Sequence, residues 1–200
     1  MCGNGMKRTD FNNWQPYSVT DIKILLEHAE FQWAFAGGWA IDLYMGQQTR
    51  VHVDMDVVIL SIDQNRLFDY LEDYTIFTAK NGILEKWNGQ KIDDSYSLWV
   101  CKDESSPFKF EVMLIETERE KWKYKRDKRI QGDSERLFVR LDNGLSVLSP
   151  EIQLLYKLDA SSIRDKDYTD YGAIAGFLTE AQKDWLFKNL KSEIVTIIKD

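Results

Sequence analysis

The chain has 200 residues, enough for one domain with a real core or for a small catalytic domain carrying a helical appendage. Apolar residues make up 44% and charge is spread along the chain, which excludes a disordered protein. With 26 basic and 33 acidic residues the net charge is -7, a poor balance for a nucleic-acid binder and a better one for a small or cationic substrate.

The cysteines, Cys2 and Cys101, are too few and too scattered for a disulfide framework or a zinc site. Cys101 reads either as a plain strand residue or as a reactive thiol. No apolar run is long enough to span a membrane, and the first residues lack the apolar stretch of a signal peptide. A cytoplasmic location is therefore expected, with the start at Met1 or Met6 left open. Gly3-x-Gly5 is not a phosphate loop, because it lacks the following Lys-Ser/Thr and the preceding strand.

Residues 1–17 show no period. Ser18 and Asp21 form a capping box ahead of the helical stripe Ile22, Leu25, Leu26 and Ala29. A short strand over Trp33–Ala36 meets Gly37-Gly38, and Trp39–Tyr44 reads as a helix ending at Gly46. After a polar loop, Val53–Leu60 reads as a central strand, and Asp63 as the cap of a helix reaching about Asp73. Strand-like runs follow at Tyr74–Thr78, Ile83–Trp87, Tyr96–Cys101 and Phe108–Ile115, separated by turn signals such as Asn81-Gly82 and Asn88-Gly89. Residues 116–136 are a charged stretch, and Asp142-Asn143-Gly144 is a hairpin turn. Ser149-Pro150 starts a helix to about Ser161, followed by helices over Asp167–Phe177 and from the Thr179 cap onward. The expected plan is strands mixed with helices over residues 1–148 and a helical part over 149–200 packed on it.

The chemistry concentrates around Asp54 and Asp56. On a strand, residues i and i+2 share a face, so the two carboxylates would point together. Like charges held close are costly unless a cation neutralises them, and Mg²⁺ prefers carboxylate oxygens. Gly37-Gly38, between a strand and a helix, would let the backbone approach a ligand at the positive end of the helix, or is an ordinary turn. Glu111 lies among apolar neighbours on a later strand, a buried acid in need of a partner. Its alternation with Lys109 fits an outward-facing edge strand equally well. If the strand begins early, His52 shares the face of the two acids. Arg50 reads as a phosphate ligand or a surface ion pair, and Asp42 as a partner of Arg50 or His52. Lys157 sits on an otherwise apolar helix face, where it either snorkels or meets an anion such as a triphosphate. Arg164 and Lys166 invite the same phosphate reading more weakly. Trp122, Lys125, Arg126 and Arg129 form a basic aromatic cluster that is a solvated face or borders the nucleotide.

The run from Gly37 to Asp56 (G-G-W-A-x-D-x-x-x-G-x-x-T-R-x-H-x-D-x-D) resembles the signature of the antibiotic nucleotidyltransferases of the DNA polymerase β-like superfamily. It is most similar to the lincosamide and aminoglycoside 2″-type adenylyltransferases. Gly37, Gly38, Trp39, Asp42, Gly46, Arg50, His52, Asp54 and Asp56 carry the match, joined by Glu111, by the helix from Ser149 with Gln153 and Lys157, and by Lys166-Asp167. Two departures stand out: Gly38 where the superfamily often has Ser, and Glu111 where it commonly has Asp. The resemblance implies an α+β fold, a nucleotidyltransferase-like mixed β-sheet flanked by helices, followed by a helical C-terminal part. It implies transfer of a nucleoside monophosphate, AMP from the co-substrate ATP, to a hydroxyl of a small molecule such as an aminoglycoside or lincosamide. It further implies two Mg²⁺ ions on Asp54, Asp56 and Glu111, with Glu111 also a candidate general base, and nucleotide binding by Gly37, Gly38, Arg50, His52 and Lys157.

Two other readings compete. One is transfer of AMP to a protein or an RNA end, and the acidic balance argues against RNA. The other is a non-catalytic member that only binds nucleotide, against which the retained cluster of repelling carboxylates argues. A monomer or homodimer with neither nucleic-acid nor membrane partners is expected. Asp93, Asp94, Asp103 and Glu104 either line a pocket for a cationic acceptor or are solvated loops.

Overall fold

The computed structural model describes residues 6–199, so Cys2 and the Gly3-x-Gly5 reading lie outside the described residues. In chain order the strands are β1 (Lys7–Arg8), β2 (Trp33–Phe35), β3 (Asp56–Leu60), β4 (Thr75–Lys80), β5 (Ile83–Lys86), β6 (Ser97–Cys101), β7 (Phe108–Glu118), β8 (Lys121–Lys123), β9 (Gln131–Asp133), β10 (Phe138–Arg140) and β11 (Ser146–Leu148). The helices are α1 (Val19–Leu26), α2 (Gly37–Met45), α3 (Gln64–Tyr70), α4 (Pro150–Leu158), α5 (Asp165–Ile174), α6 (Glu180–Asn189) and α7 (Ser192–Lys199). The main path of the sheet runs β1-β5-β4-β6-β7-β3-β2-β11-β10, with β8 and β9 extending from β7. The pairs β3–β7 and β11–β2 are parallel and the other pairs antiparallel, giving the mixed sheet and α+β class that the sequence implies.

Strand alternation divides the core into two layers. Val57 and Ile59 of β3 join Val112 and Leu114 of β7 against Ile22 and Leu26 of α1 and Leu67 of α3. Val58, between them on β3, faces the opposite way and packs with Ile115 against Leu154, Leu155, Leu158, Ile174, Leu186 and Ile194 of the C-terminal helices. Asp56 and Glu111 stand two and four residues before these last two strand residues, on the face the C-terminal helices cover. The cavity described below therefore forms where sheet, α2, α4 and α5 meet.

Local chemistry explains most element ends. Ser18 and Asp21 form the expected capping box of α1. Asn81 and Gly82 both take positive φ, 51° and 72°, as a two-residue β4–β5 hairpin requires. Gly46 closes α2 in the left-handed conformation at φ 72°.

Several expectations need correction. β3 starts at Asp56 and not at Val53, so His52 and Asp54 sit in the loop before the strand and owe their positions to tertiary contacts. α2 starts at Gly37, two residues early, because Ala36 provides an extended N-cap. Asp63 and Ser149 precede their helices, but neither side chain caps. Asp63 receives Arg66 Nη1 at 3.0 Å, and Ser149 Oγ donates to the Arg136 carbonyl at 2.6 Å. The charged stretch 116–136 holds the end of β7, β8 and β9, whose charged residues alternate on a partly exposed ribbon. The last stretch is two helices, split at Leu190, which leaves α6 in an extended conformation at φ -92°, ψ 158°.

Residues 149–199 bury their apolar face on strands from the first half, so both parts share one core cluster. We expect fluorescence of the sheet-side tryptophans and far-ultraviolet helix signal to lose structure at the same denaturant concentration. Leu155→Ala should shift that common midpoint by about 2–5 kcal/mol. Two separated transitions would show instead that the helical part is an independent unit.

Candidate active site

The sequence-derived acids meet at one cavity. Its volume is about 370 Å³, and its walls include Gly37, Gly38, Arg50, Asp54, Asp56, Glu111, Lys157, Arg164 and Lys166. Two wider clefts, of about 840 and 640 Å³, lie elsewhere and contain none of the three carboxylates. Volume favours those clefts, but concentrated opposing charge favours this one.

The parallel register of β3 and β7 sets Asp56 opposite Glu111. β7 lies between β6 and β3, so Glu111 is on a central strand and not on the edge strand its alternation with Lys109 also fits. Lys109 goes elsewhere and donates to Gln15 Oε1 at 2.7 Å. Burial, then the charges of Glu111 and Asp54, push the Asp56 carboxyl well above its ordinary range, with Lys157 and Lys166 opposing. Burial also raises Glu111, reinforced by Asp54 and opposed by Ser97 and Lys125. Burial and the Arg126 charge lower the Lys125 amine, with Glu111 opposing. The site thus stores electrostatic repulsion that a cation or protons would relieve.

Among the described residues, no three His, Cys, Asp or Glu side chains stand close enough to cage a metal by themselves. The expected convergence of Asp54, Asp56 and Glu111 into one tight ligand set is corrected to three carboxylates lining one cavity. Such a donor set fits Mg²⁺, which keeps waters and takes oxygens from one or two carboxylates and from substrate phosphates.

The glycine pair is fixed by its neighbours. Gly37 has φ 64°, and a Cβ there would run into the Asp56 carboxylate. A Cβ on Gly38 would collide with the His52 ring and the Arg50 guanidinium. That crowding gives a physical reason for Gly38 at a position where the superfamily often carries Ser. The Gly37 N–H donates to Gln153 Oε1 at 2.7 Å, so the first of the two expected phosphate-facing N–H groups is occupied within the protein. The other N–H groups of the first turn of α2 are those that a helix leaves without an internal partner.

Behind the glycines lies a polar scaffold. His52 Nε2 meets Asp42 Oδ2 at 2.5 Å, and Thr49 Oγ1 donates to Asp42 Oδ1 at 2.6 Å. The His52 ring lies 4.5 Å from the Trp39 ring, and its Nδ1 is buried without a hydrogen-bond partner among the described residues. His52 is therefore a support packed behind Gly38, not a member of a strand face, and Asp42 is its partner as expected.

Arg50 grips Asp170 of α5 with two hydrogen bonds, 2.8 and 3.0 Å. Lys157 Nζ sits 2.7 Å from Asp170 Oδ2 and 3.5 Å from Asp167 Oδ1, and Arg164 closes the chain on Asp167 at 2.9 and 3.0 Å. The buried Lys157 does not snorkel to solvent, and the protein itself supplies it with anions, Asp170 and Asp167. Arg50 is likewise in an ion pair, with a partner that is 1% exposed. Burial works against ionisation of Asp170 and Asp167, yet Arg50 and Lys157 hold the first below the usual carboxylate range and Arg164 and Lys157 the second.

Sequence reasoning gave no site role to Gln153, Tyr156, Asp167 or Asp170. For Gln153 and Tyr156 a signal was present, polar side chains among the apolar residues of α4, whereas the polar surroundings of Asp167 and Asp170 in α5 gave none. Lys125 and Arg126 of the basic cluster do line the cavity, whereas Trp122 is buried against Trp185 at 5.9 Å and the exposed Arg129 pairs with Asp127. Cys101 is a buried residue of β6 whose thiol burial pushes up to about 11, the plain strand reading.

The fold and this site define a nucleotidyltransferase. Residues 18–128 match the model of the Aminoglycoside-2″-adenylyltransferase family, and the chain belongs to that family. It is similar in structure to ANT(2″)-Ia in complex with adenylyl-2″-tobramycin, with 12% identity, 86% of this chain and 94% of that chain covered, and a TM-score of 0.54. It is also similar to the lincosamide antibiotic adenylyltransferase LnuA bound to lincomycin, with 18% identity, coverage of 83% and 99%, and a TM-score of 0.55. The solution structure of ANT(2″)-Ia gives 14% identity, coverage of 90% and 92%, and a TM-score of 0.56. At these identities the likeness establishes the fold. No curated protein matches the sequence. Among the described residues, no helix is long and apolar enough to cross a membrane.

The raised Asp56 carboxyl has a testable consequence for stability. Its folded-state pKa lies above its unfolded value, so its ionised form destabilises the fold above that folded pKa, and the penalty fades as pH falls towards the unfolded value. Asp56→Asn, without metal, should therefore melt higher than the parent protein at neutral pH. The difference should shrink on acidification and also on adding Mg²⁺. Asp167 and Asp170 shift the opposite way, but they are common to both proteins and cancel in the difference. An Asp56→Asn variant that melts lower at neutral pH in chelator would refute the stored repulsion.

Proposed function

We propose that the protein transfers AMP from Mg·ATP to a hydroxyl group of a small molecule, within the acceptor range that its family and its neighbours' names bring, aminoglycosides and lincosamides. The observation that carries this reading is the convergence of Asp54, Asp56 and Glu111, with raised carboxyl pKa values at the last two, on one cavity whose other walls are cationic.

Asp54, Asp56 and Glu111 are the residues that would hold Mg²⁺. When bound, Mg²⁺ would neutralise these carboxylates, grip phosphate oxygens and lower the pKa of a nearby hydroxyl. The first turn of α2 aims backbone N–H groups and the helix dipole at the phosphate end. Lys157 and Lys166, whose charges act on Asp56, and Arg164, whose charge is felt at Asp54, supply positive potential there. Arg50 and His52 act from behind Gly38 and keep the glycine turn in shape. Glu111 stands beside Asp56 on the neighbouring strand, and its raised pKa suits it to take the proton of the acceptor hydroxyl. The hydroxyl oxygen then bonds to the α-phosphorus, the bond from that phosphorus to the β-phosphate oxygen breaks, and pyrophosphate leaves. Residues 1–148 form the catalytic part in this reading, and the C-terminal part adds Lys157, Arg164 and Lys166 to the cationic wall that Arg50, Lys125 and Arg126 share.

Labelled ATP, Mg²⁺ and a panel of hydroxyl-bearing acceptors test the reaction. AMP should appear on at least one acceptor, and Asp54→Asn or Asp56→Asn should lower the rate by about a thousandfold or more. Full activity in Asp56→Asn would disprove the role of the carboxylates. Mg·ATP binding without transfer to any small molecule, protein or RNA end would favour a member that only binds nucleotide.

A further inference from the structure

Glu111 has a second strand beside it. β6 pairs antiparallel with β7, and the register sets Trp99 opposite Glu111 and Ser97 opposite Met113. Directly paired residues share a face of the sheet, so both β6 side chains stand on the face that carries Glu111. Met113 itself lines the cavity, whereas Trp99 and Ser97 do not. What they can reach is therefore the carboxylate, not a ligand in the cavity.

The indole nitrogen of Trp99 is buried and has no hydrogen-bond partner among the described residues. An indole N–H only donates, so only an acceptor can satisfy it, and a buried donor left without one is costly. The carboxylate directly across the strand pair is the acceptor that the register offers. Burial raises the Glu111 carboxyl, while the Ser97 hydroxyl and the Trp99 N–H both favour its ionised form as hydrogen-bond donors.

Other aromatic rings fix the indole in place. Its ring lies edge-on to Trp14 at 4.8 Å, to Phe108 at 5.0 Å and to Phe11 at 6.3 Å between centres. The segment that carries Phe11 and Trp14 is tied to β7 through the backbone. The Phe108 N–H donates to the Asn13 carbonyl at 2.8 Å, the Gln15 N–H to the Phe108 carbonyl at 3.0 Å, and the Tyr17 N–H to the Lys109 carbonyl at 2.9 Å. Trp14 Nε1 donates to the Phe11 carbonyl at 2.9 Å, which closes the turn between the two rings. The stretch before Ser18, which shows no period in the sequence, thus clamps Trp99 beside Glu111. Edge-to-face aromatic pairs hold ring orientation more tightly than area burial alone.

We propose that Trp99 and Ser97 are positioning residues of the active site, whose indole N–H and hydroxyl hold one carboxylate oxygen of Glu111 and leave the other for the cavity. The last torsion of a glutamate side chain is soft, so the carboxylate turns towards these donors at little cost. Donors fixed on one oxygen set the direction of the other, and a carboxylate that binds a metal or takes a proton depends on such outer partners for its aim. The role given to Glu111 rests on the transferase reading, but the contact with Trp99 and Ser97 exists without any reaction.

Nuclear magnetic resonance of the indole N–H groups tests the contact directly. The chain has seven tryptophans, and the signal lost in Trp99→Phe belongs to Trp99. In Glu111→Ala, which removes the acceptor, that signal should move further than those of the other six. Kinetics test the consequence. Trp99→Phe keeps an aromatic ring and removes the N–H, and Ser97→Ala removes the hydroxyl. Each should lower kcat for AMP transfer by about tenfold or more, the worth of a hydrogen bond to a charged group, with the KM for ATP within about threefold of the parent. Ser97→Thr, which keeps the hydroxyl, should stay closer to the parent rate than Ser97→Ala. A Trp99 signal that stays in place in Glu111→Ala would overturn the proposal. So would Trp99→Phe and Ser97→Ala at the parent kcat, a loss carried by KM alone, or a Ser97→Thr variant as slow as Ser97→Ala. Absence of AMP transfer to every acceptor would sink the transferase reading instead, and the indole signal would still decide the contact.

Discussion

The parallel pairing of β3 with β7 sets Asp56 opposite Glu111, and the rest of the site answers that placement. Two carboxylates held face to face by strand register cannot separate without breaking the sheet. Asp54 adds a third negative charge from the preceding loop. Repulsion at this point is an outcome of backbone geometry, and the surroundings are built to tolerate it. Glycine at 37 leaves room for the Asp56 carboxylate, and Lys157 of α4 and Lys166 of α5 favour its ionised form. A functional site that costs stability in this way is a common trade between activity and folding.

The ion chain Arg50–Asp170–Lys157–Asp167–Arg164 links the glycine-motif loop to the C-terminal helices. Its two aspartates are almost fully buried, so an unpartnered charge there would be severely destabilising. Such a chain fixes geometry more than it adds net stability. It places Arg50 against Gly38 and Lys157 towards Asp56, and makes the helical segment part of the site. It adds a polar link to the apolar cluster that residues before and after 148 already share.

Much of the architecture was legible in the residues. The glycine pair, the acids at 54, 56 and 111, the capping box at Ser18 and the hairpin at Asn81-Gly82 each follow from local rules of strand alternation, helix ends and turn chemistry. What escaped was set by tertiary contact. Asp54 and His52 leave the strand pattern because packing, not backbone pairing, positions them. The role of Asp170 depends on Arg50, 120 residues away, and that of Asp167 on Lys157, 10 residues away, as well as on the nearby Arg164. The partner of Lys157 followed the same logic: sequence showed that a buried amine needs an anion, but only the fold says that Asp170 provides it. The ribbon that the end of β7 forms with β8 and β9 was missed because its short strands offer single buried positions such as Trp122, too few for an alternation to show.

The most direct test of the account is the proton balance of Mg·nucleotide binding. Calorimetry of Mg²⁺ with a non-hydrolysable ATP analogue, repeated in buffers of different ionisation enthalpy, counts protons released on binding. Near the raised pKa of Asp56 net proton release is expected, as the incoming cation expels protons that burial and the neighbouring carboxylates had retained. That release should be reduced in Asp56→Asn. Binding with no proton release in the parent protein at any pH above the ordinary carboxylate range, or equal release in Asp56→Asn, would contradict the claim that burial and mutual repulsion of these carboxylates are what the site is built around.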